Sequence, residues 1–246
     1  MIEVRDLSKS FGPHKILDGV NLRIETGESV VIIGRSGGGK SVLLKHFVGL
    51  LKPDHGQVLV DGENIGSMNE REIMPVRSKF GMLFQGAALF DSMTVAENVG
   101  FVLWHNQKLP ASKVRARVAE ALEMVNLPGI ENKKPSELSG GMRKRVGLAR
   151  TIVYQPQIVL YDEPTTGLDP IASDSIDQLI LRVHQQLKIT SIAVTHDMRS
   201  ARRIGQRILM LHQKKIYVTG TPDEIFSSQD PVIRQFIDGV ADPKED

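Results

Sequence analysis

Residues 34–41, with the sequence GRSGGGKS, combine the residue types that bind a polyphosphate, and we call them the phosphate loop. They fit the pattern G-x-x-x-x-G-K-[ST], in which glycines let backbone N–H groups converge on phosphate oxygens. We expect Lys40 to reach the outer phosphates and the hydroxyl of Ser41 to ligate Mg²⁺. The predicted binding residues of this loop and the helical turn after it are Gly34, Arg35, Ser36, Gly37, Gly38, Gly39, Lys40, Ser41 and Val42.

The segments on either side of the phosphate loop favour a phosphate site over an ordinary glycine-rich turn. Residues 29–33 (SVVII) form a short apolar, β-branched run that is typical of a buried strand. Residues 42–51 (VLLKHFVGLL) have helical apolar spacing, and we expect Lys52 and Pro53 to end that helix. A helix that begins directly after the loop would add its positive N-terminal end to the site.

The composition is that of an ordinary globular protein with one large domain or two small ones, since 41% of its 246 residues are hydrophobic and 24% are charged. The absence of cysteine excludes disulfides and thiolate–metal sites, and a net charge of +2 is too small to favour a nucleic-acid partner. No apolar run approaches the roughly 20 residues of a membrane span, and the N-terminus is too charged for a signal peptide. We therefore expect a cytosolic chain that another chain would anchor if it works at a membrane.

The N-terminal part of the chain predicts a small antiparallel sheet that flanks the nucleotide core. Residues 1–28 alternate apolar and polar residues, as strands with one wet face do, and residues 57–60 (QVLV) with the turn at Asp61 and Gly62 predict another strand. Phe11, in the loop of the first hairpin, could stack on an adenine ring, or it could plug the turn or the core. Ile16 could flank the base.

Residues 87–157 change to helical patterning, which predicts a helical insertion. Within it, residues 138–142 (LSGGM), which we call the signature segment, open a helix with Ser139 as a candidate N-cap. Gly140 and Gly141 at that N-terminus form a second candidate anion site, although two glycines alone usually mean a turn. We expect the basic residues 143–145 to form a solvated helix face.

A pair of carboxylates follows the apolar strand predicted at residues 158–161 (IVLY). We expect Asp162 to hold Mg²⁺ and Glu163 to orient or deprotonate an attacking water, whereas in isolation the pair could be surface acids. Asp169 should cap a long helix that starts at Pro170.

Four predicted strands end in polar or glycine residues that suit one nucleotide site: Gly34, Gln85, the pair Asp162 and Glu163, and His196, which follows the apolar run 190–195. Ligands of open α/β sheets bind outside the carboxyl ends of the strands. A parallel sheet would therefore gather these residues at one edge, which favours a site role for His196 over the structural role that a lone histidine usually has.

The C-terminal part contains two further helix starts. Residues 221–224 (TPDE) form a capping box with proline at the first helical position. A second start at Asp230 and Pro231 leads to a helix that Gly239 should end, with an apolar stripe that could pack on its own domain or on a neighbour. Residues 241–246 (ADPKED) are expected to be a frayed polar tail.

In order and identity, these motifs resemble those of the ATP-binding-cassette (ABC) ATPases over about residues 2–226. Two positions depart from the usual pattern, since Phe11 replaces a tyrosine and Met142 a glutamine. The resemblance implies ATP ligands beyond the phosphate loop at Phe11, Ile16, Ser139, Gly140, Gly141 and Asp169. It implies catalytic roles for Gln85, Glu163 and His196, and Mg²⁺ ligands at Ser41, Gln85 and Asp162.

The resemblance also implies an α/β fold of the P-loop NTPase type, with a mostly parallel sheet, an N-terminal antiparallel β-subdomain and an inserted α-helical subdomain. The nucleotide-binding domain would cover residues 1–226, with the core and β-subdomain at about 1–86 and 157–226 and the helical subdomain at about 87–156. Residues 227–246 would form a C-terminal helix and tail.

The implied mechanism pairs two copies of the chain head to tail, so that each ATP lies between one phosphate loop and the other copy's signature segment. Within the family, residues 84–99, residues 138–150 and the DPI after Leu168 are similar to the Mla and MCE phospholipid-transport ATPases. That similarity implies a transmembrane permease, an MCE-domain lipid-binding protein and a possible small accessory subunit as partners. It places the chain peripherally on the cytoplasmic side of the bacterial inner membrane.

Permease contact is expected near Leu89, Phe90 and Asp91. One alternative is the ATPase of another importer, for amino acids or osmolytes, in which all catalytic residues would be the same. A soluble ATP-driven clamp on DNA or ribosomes would need a long coiled coil or a second phosphate loop, and this sequence has neither. Glu163 argues against a nucleotide-binding regulator without turnover.

Overall fold

A computed structural model of the protein describes residues 1–240. The chain forms two compact units: the first comprises Met1–Arg77 and the chain from Ile192 onwards, and the second comprises Ser78–Ser191. The tail predicted at residues 241–246 lies outside the described residues. The sequence-based domain boundaries near residues 86, 157 and 226 stay a prediction.

The first unit contains an antiparallel sheet and a mixed sheet with helices between their strands. Its elements are β1 (Ile2–Phe11), β2 (His14–Ile24), β3 (Ser29–Ile33), α1 (Lys40–Phe47), β4 (His55–Val60), β5 (Glu63–Asn64), α2 (Glu70–Arg77), the last four residues of β8 (Thr190–Thr195), α7 (Met198–Ile204), β9 (Arg207–His212), β10 (Lys215–Gly220), α8 (Pro222–Ser227) and α9 (Pro231–Asp238).

The predicted antiparallel sheet is confirmed, with strand order β2-β1-β4-β5. Its centre strand pairs on both edges, because Ile2 lies opposite Ile24 on one side and opposite Val60 on the other. All three side chains are buried, so one face of this sheet forms core. The mixed sheet of this unit has the order β10-β9-β3-β8, with β3 parallel to β9 and β9 antiparallel to β10.

The second unit combines strands with the helices of the predicted insertion and with the long helix predicted to start at Pro170. Its elements are β6 (Phe80–Leu83), α3 (Val95–His105), α4 (Ala111–Met124), α5 (Gly140–Ile152), β7 (Ile158–Asp162), α6 (Pro170–Leu187) and the first two residues of β8. β6 and β7 pair in parallel from Phe80 opposite Ile158 to Leu83 opposite Tyr161.

The predicted bounds of one helix and one strand are wrong at their C-terminal ends. α1 ends at Phe47 rather than at residue 51, because Gly49 adopts a φ of +63° that turns the chain out of the helix. β6 ends at Leu83, two residues before Gln85. The two C-terminal helix starts are confirmed, since Thr221 and Asp230 accept hydrogen bonds from the first-turn N–H groups of α8 and α9.

One buried amide fixes the loop that joins β6 to α3. Asn98 of α3 is fully buried, and its Oδ1 accepts a hydrogen bond of 2.8 Å from the Phe90 N–H. Its Nδ2 donates to the carbonyls of Phe90, Met93 and Thr94 at 3.0–3.2 Å. Because every polar group of this amide has a partner, the loop conformation depends on it.

We predict that Asn98→Ala lowers the free energy of unfolding by about 2–3 kcal/mol, because it leaves buried main-chain groups without partners. Chemical denaturation followed by circular dichroism measures the change. Asn132→Ala, at an exposed asparagine of the same unit, should change the value by less than about 0.5 kcal/mol. Equal effects of the two substitutions would contradict the role of Asn98.

Candidate nucleotide site

The phosphate loop lies in the first unit between the buried strand β3 and the helix α1, in the predicted order. At its start, a Cβ on Gly34 would lie 2.4 Å from the carbonyl oxygen of Leu211 in β9. At its end, Gly39 has a φ of +98°, and a Cβ there would lie 3.0 Å from the Ile16 side chain. The start of the loop therefore lies too close to β9 for any side chain, and at its end Gly39 combines a left-handed φ with crowded contacts to β2.

Lys40, the first residue of α1, places a cation at the phosphate loop. The side chain is only 5% exposed, and its Nζ donates to the carbonyls of Gly34 at 2.8 Å and Arg35 at 3.1 Å. The ammonium group thus folds back over the loop, and the N-terminus of α1 adds its partial positive charge at the same place. An anion at this loop would meet both charges.

A cleft of about 650 Å³ adjoins the phosphate loop within the first unit. Its walls come from β2 and the turn before it, from the loop itself, and from the hairpin between β9 and β10. The lining residues are Pro13, His14, Lys15, Ile16, Arg35, Ser36, Gly37, Gly38, Leu211, His212, Gln213 and Lys214. Every titratable side chain in that set is basic, which favours a polyanionic ligand.

The structure places Ile16 in this cleft and leaves the role of Phe11 a prediction. Phe11 ends β1, opposite His14, and its ring is 47% exposed. Lys9 Nζ lies 5.7 Å from the ring centroid, within the range of a cation–π contact. An exposed ring is available for stacking on a base, whereas a core plug would be buried.

His196 follows β8 directly and is exposed on a well-fixed corner of the first unit. The Thr195 hydroxyl oxygen accepts a hydrogen bond of 2.9 Å from the Asp197 N–H. Asp197 in turn caps α7 by accepting from the Arg199 N–H at 2.8 Å. The strand and the helix on either side therefore fix the main chain at His196.

In the second unit, the two predicted carboxylates lie at the end of β7. Asp162 is its last residue, Glu163 follows it, and both side chains are almost fully buried. Glu163 has a φ of +48°, which costs energy for a residue other than glycine. The Thr166 hydroxyl donates to Glu163 Oε2 at 3.1 Å and thereby orients that carboxylate.

Lys144 of α5 contacts the main chain of two predicted site residues, and the prediction that it is solvated is wrong. Its side chain is 6% exposed, and its Nζ donates to the carbonyl oxygens of Gln85 and, at 3.3 Å, of Glu163. Burial lowers the pKa of the Lys144 ammonium, and the charges of Glu163 and Asp162 partly oppose that shift. The missed signal was helical spacing, because Lys144 lies four residues before the buried Leu148.

Two other predicted site residues of this unit cap helices, and a third follows a strand. Ser139 is confirmed as the N-cap of α5, since its hydroxyl accepts from the Met142 N–H at 3.2 Å. Asp169 is confirmed as the N-cap of α6, where it accepts from the Ile171 and Ala172 N–H groups. Gln85 is exposed just beyond β6.

Packing among residues 1–240 does not explain the two glycines of the signature segment. A Cβ on Gly141 would meet nothing within 4 Å, and one on Gly140 would meet only Leu168 Cδ2, at an ordinary 3.7 Å. Alanine would also be the better helix former at these positions. A ligand that approaches the backbone closely would account for them.

A family model and two curated relatives match this chain, and all three describe proteins of transport systems. The family model described as "ABC transporter" matches residues 17–166. The probable ribonucleotide transport ATP-binding protein mkl of Mycobacterium leprae (strain TN) is 44% identical over 97% of this chain, which spans 69% of that protein. The intermembrane phospholipid transport system ATP-binding protein MlaF of Escherichia coli (strain K12) is 39% identical over 98% of this chain, which spans 90% of that protein.

A solved structure supports the fold. The ATP-binding cassette MJ0796, determined as a dimer in a post-hydrolysis state with ADP and Pi, superposes with a TM-score of 0.82 at 33% identity. The match covers 90% of this chain and 99% of that one.

We predict that Gly34→Ala weakens ATP binding about tenfold, because the added Cβ must push the phosphate loop away from Leu211. Isothermal titration with ATP and Mg²⁺ measures the dissociation constant. Gly62→Ala is the matched control, since Gly62 also has a positive φ but open space around its Cβ position. Wild-type affinity of Gly34→Ala would contradict the close-packed loop.

Proposed function

Because the chain belongs to the ABC transporter family and is an ATPase of that family, we propose that it powers a phospholipid transporter. The similarity to E. coli MlaF, which covers 90% of that protein, supports the phospholipid substrate. The cleft and phosphate loop of the first unit and the carboxylates of the second supply the groups that ATP hydrolysis needs. These residues carry the ATPase part of the proposal, and the similarity to MlaF carries the choice of substrate.

Each group of the site has one task in the proposed reaction. The phosphate loop and Lys40 bind the phosphates, and the cleft that contains Ile16 accepts the nucleoside. Glu163 orients the attacking water and accepts its proton, helped by His196 and Gln85. The nearly buried position of Glu163, fixed by Thr166, gives its carboxylate a defined direction.

The donor set of Ser41, Asp162 and Gln85 fits Mg²⁺, which prefers oxygen ligands and uses one or two carboxylates together with substrate phosphates. Asp162 supplies a nearly buried carboxylate, and Ser41 supplies a hydroxyl in the first turn of α1. When bound, Mg²⁺ neutralises charge on the phosphates.

The unexplained glycines of the signature segment support a head-to-tail dimer. Gly140 and Gly141 begin α5 with bare backbone and open space, as an anion from a second molecule would require. The MJ0796 cassette with ADP and Pi is a dimer. In such a dimer the phosphates of one copy would meet the Ser139 end of the other copy's α5.

A membrane permease is the proposed partner of the second unit, at Leu89, Phe90 and Asp91. Phe90 is 44% exposed, and Phe101 (ring centroids 5.1 Å apart) and the Arg150 guanidinium (5.9 Å from the ring) hold its ring.

No helix within residues 1–240 has the length and apolar character to cross a bilayer. We propose that the chain sits peripherally on the cytoplasmic side of the inner membrane, with an MCE-domain protein and an accessory subunit in the same complex.

A second candidate substrate follows from the name of the mycobacterial relative, which is described as a ribonucleotide transport protein. The site residues would act in the same way for either substrate, as they would for an amino-acid or osmolyte importer. Only the transported molecule separates these functions.

We predict that Glu163→Gln lowers ATP hydrolysis by about 100-fold or more while ATP binding is retained, because the amide accepts no proton. In vesicles that contain the chain with its membrane partners, phospholipid movement should stop as well. Glu120→Gln, at an exposed glutamate, is the control. Hydrolysis at the wild-type rate would contradict the role of Glu163, and ATP-driven movement of ribonucleotide alone would contradict the substrate.

We predict opposite effects of Gly141→Ala on stability and on activity. The substitution should stabilise α5 by about 0.5 kcal/mol, because alanine is the better helix former and has room. It should also abolish the ATP-dependent dimer, as measured by light scattering with the Glu163→Gln background. A stable variant that still dimerises with ATP would contradict the placement of Gly141 at the dimer contact, and a Glu163→Gln chain that forms no dimer with ATP would contradict the dimer itself.

A further inference from the structure

Lys144 is a buried cation whose partners are main-chain carbonyls from two separate segments. Lysine is almost never fully buried unless it is paired, because removing its charge from water is costly. Here the Nζ atom donates to Gln85, 59 residues earlier in the chain, and to Glu163, 19 residues later. A single side chain of α5 therefore joins the loop after β6 to the end of β7.

Packing alone does not explain a lysine at this position. The rest of its stripe is apolar or small, with Gly147, Leu148 and Thr151 buried one and two turns later. An apolar side chain such as methionine would fill the same space without the cost of burying a charge. The carbonyl partners and the nearby charges of Glu163 and Asp162, rather than the volume, therefore account for the ammonium group.

Both carbonyls belong to residues for which we propose a role in ATP hydrolysis, Gln85 and Glu163. Glu163 holds an unfavourable φ of +48°, so its main chain needs support to stay in that conformation. Gln85 is exposed beyond the end of its strand, where a single strong hydrogen bond can set the path of the loop. The N-cap Ser139 lies five residues before Lys144, about 7.5 Å along the rigid helix.

We propose that Lys144 is a positioning residue that couples the position of the signature segment to the main chain at Gln85 and Glu163. A ligand that displaces the N-terminus of α5 would move Lys144 with the helix. Through its two hydrogen bonds, Lys144 would then move the main chain of Gln85 and Glu163, and with it their side chains. The residue acts through its neighbours and does not touch the nucleotide. This proposal rests on the proposed ATPase function of the site.

The kinetic experiment compares Lys144→Met, which keeps the volume but removes the donors, with Lys144→Arg, which keeps a cation with several N–H donors. The full chain, co-purified with its membrane partners, is assayed with ATP and Mg²⁺. We expect Lys144→Met to lower kcat by about 10- to 100-fold with the ATP dissociation constant within about threefold, because the main chain at Gln85 and Glu163 would lose the donor that holds it. Lys144→Arg should recover most of kcat.

Lys113→Met, at an exposed lysine of α4, is the matched control and should retain wild-type kcat. A folded Lys144→Met variant with wild-type kcat would overturn the proposal. A parallel loss of affinity and kcat would also overturn it, since that pattern means general damage. Lys144→Arg as inactive as Lys144→Met would contradict the role of the donors.

Hydrogen exchange tests the same link without relying on activity. In Lys144→Met, peptides covering residues 84–88 and 161–167 should exchange faster, while those of α4 stay unchanged. Unchanged exchange in both segments would overturn the proposal, whatever the activity of the wild type. If the wild type hydrolysed no ATP, that result would refute the ATPase function separately. If Lys144→Met does not fold, Lys144→Gln, which is neutral and shorter, serves for both measurements.

Discussion

The close approach of bare backbone to a polyanion is the constraint on which the site depends. A triphosphate needs converging N–H groups, and side chains would block them. Gly34 and Gly39 meet this requirement, and β9 and β2 lie so close to the two ends of the loop that a side chain at either position would crowd them. The strands around the phosphate loop thus set its shape, and Lys40 adds the fixed charge that the backbone lacks.

The second unit positions its carboxylates by burial and by an unfavourable backbone conformation rather than by bare glycine backbone. Its carboxylates are nearly buried at the end of β7, where the main chain at Glu163 adopts an unfavourable conformation. Such a conformation persists only where neighbouring residues stabilise it. Thr166 donates a hydrogen bond to the Glu163 carboxylate, and Lys144 donates one to the Glu163 carbonyl oxygen. Strain, burial and a buried cation at one place are typical of a functional site rather than of ordinary core.

The features that could be predicted from the sequence depend on neighbours within a few residues. The caps at Ser139, Asp169 and Thr221 are local hydrogen bonds between positions two or three apart, and the strand–glycine–helix order is a local pattern. The phosphate loop was predictable for the same reason. The roles of Phe11 and His196 stay predictions.

The features that could not be predicted depend on contacts distant in sequence. Basic residues next to a helix start usually face solvent, whereas Lys144 is buried and donates to carbonyls 59 residues before it and 19 residues after it. No sequence pattern around Asn98 indicates that its side chain holds the loop before α3 by hydrogen bonds. The β9–β10 hairpin was not expected to line the cleft, because its approach to the loop follows from sheet order rather than from composition.

The central claim is that this ATPase drives phospholipid transport, and co-purification tests it most directly. The tagged chain would be extracted from its native membranes in mild detergent, and mass spectrometry would identify both the proteins and the small molecules retained. The account predicts a multi-span permease, an MCE-domain protein and bound phospholipid. A permease with a soluble solute-binding protein and no phospholipid, or recovery of the chain without any permease, would contradict it.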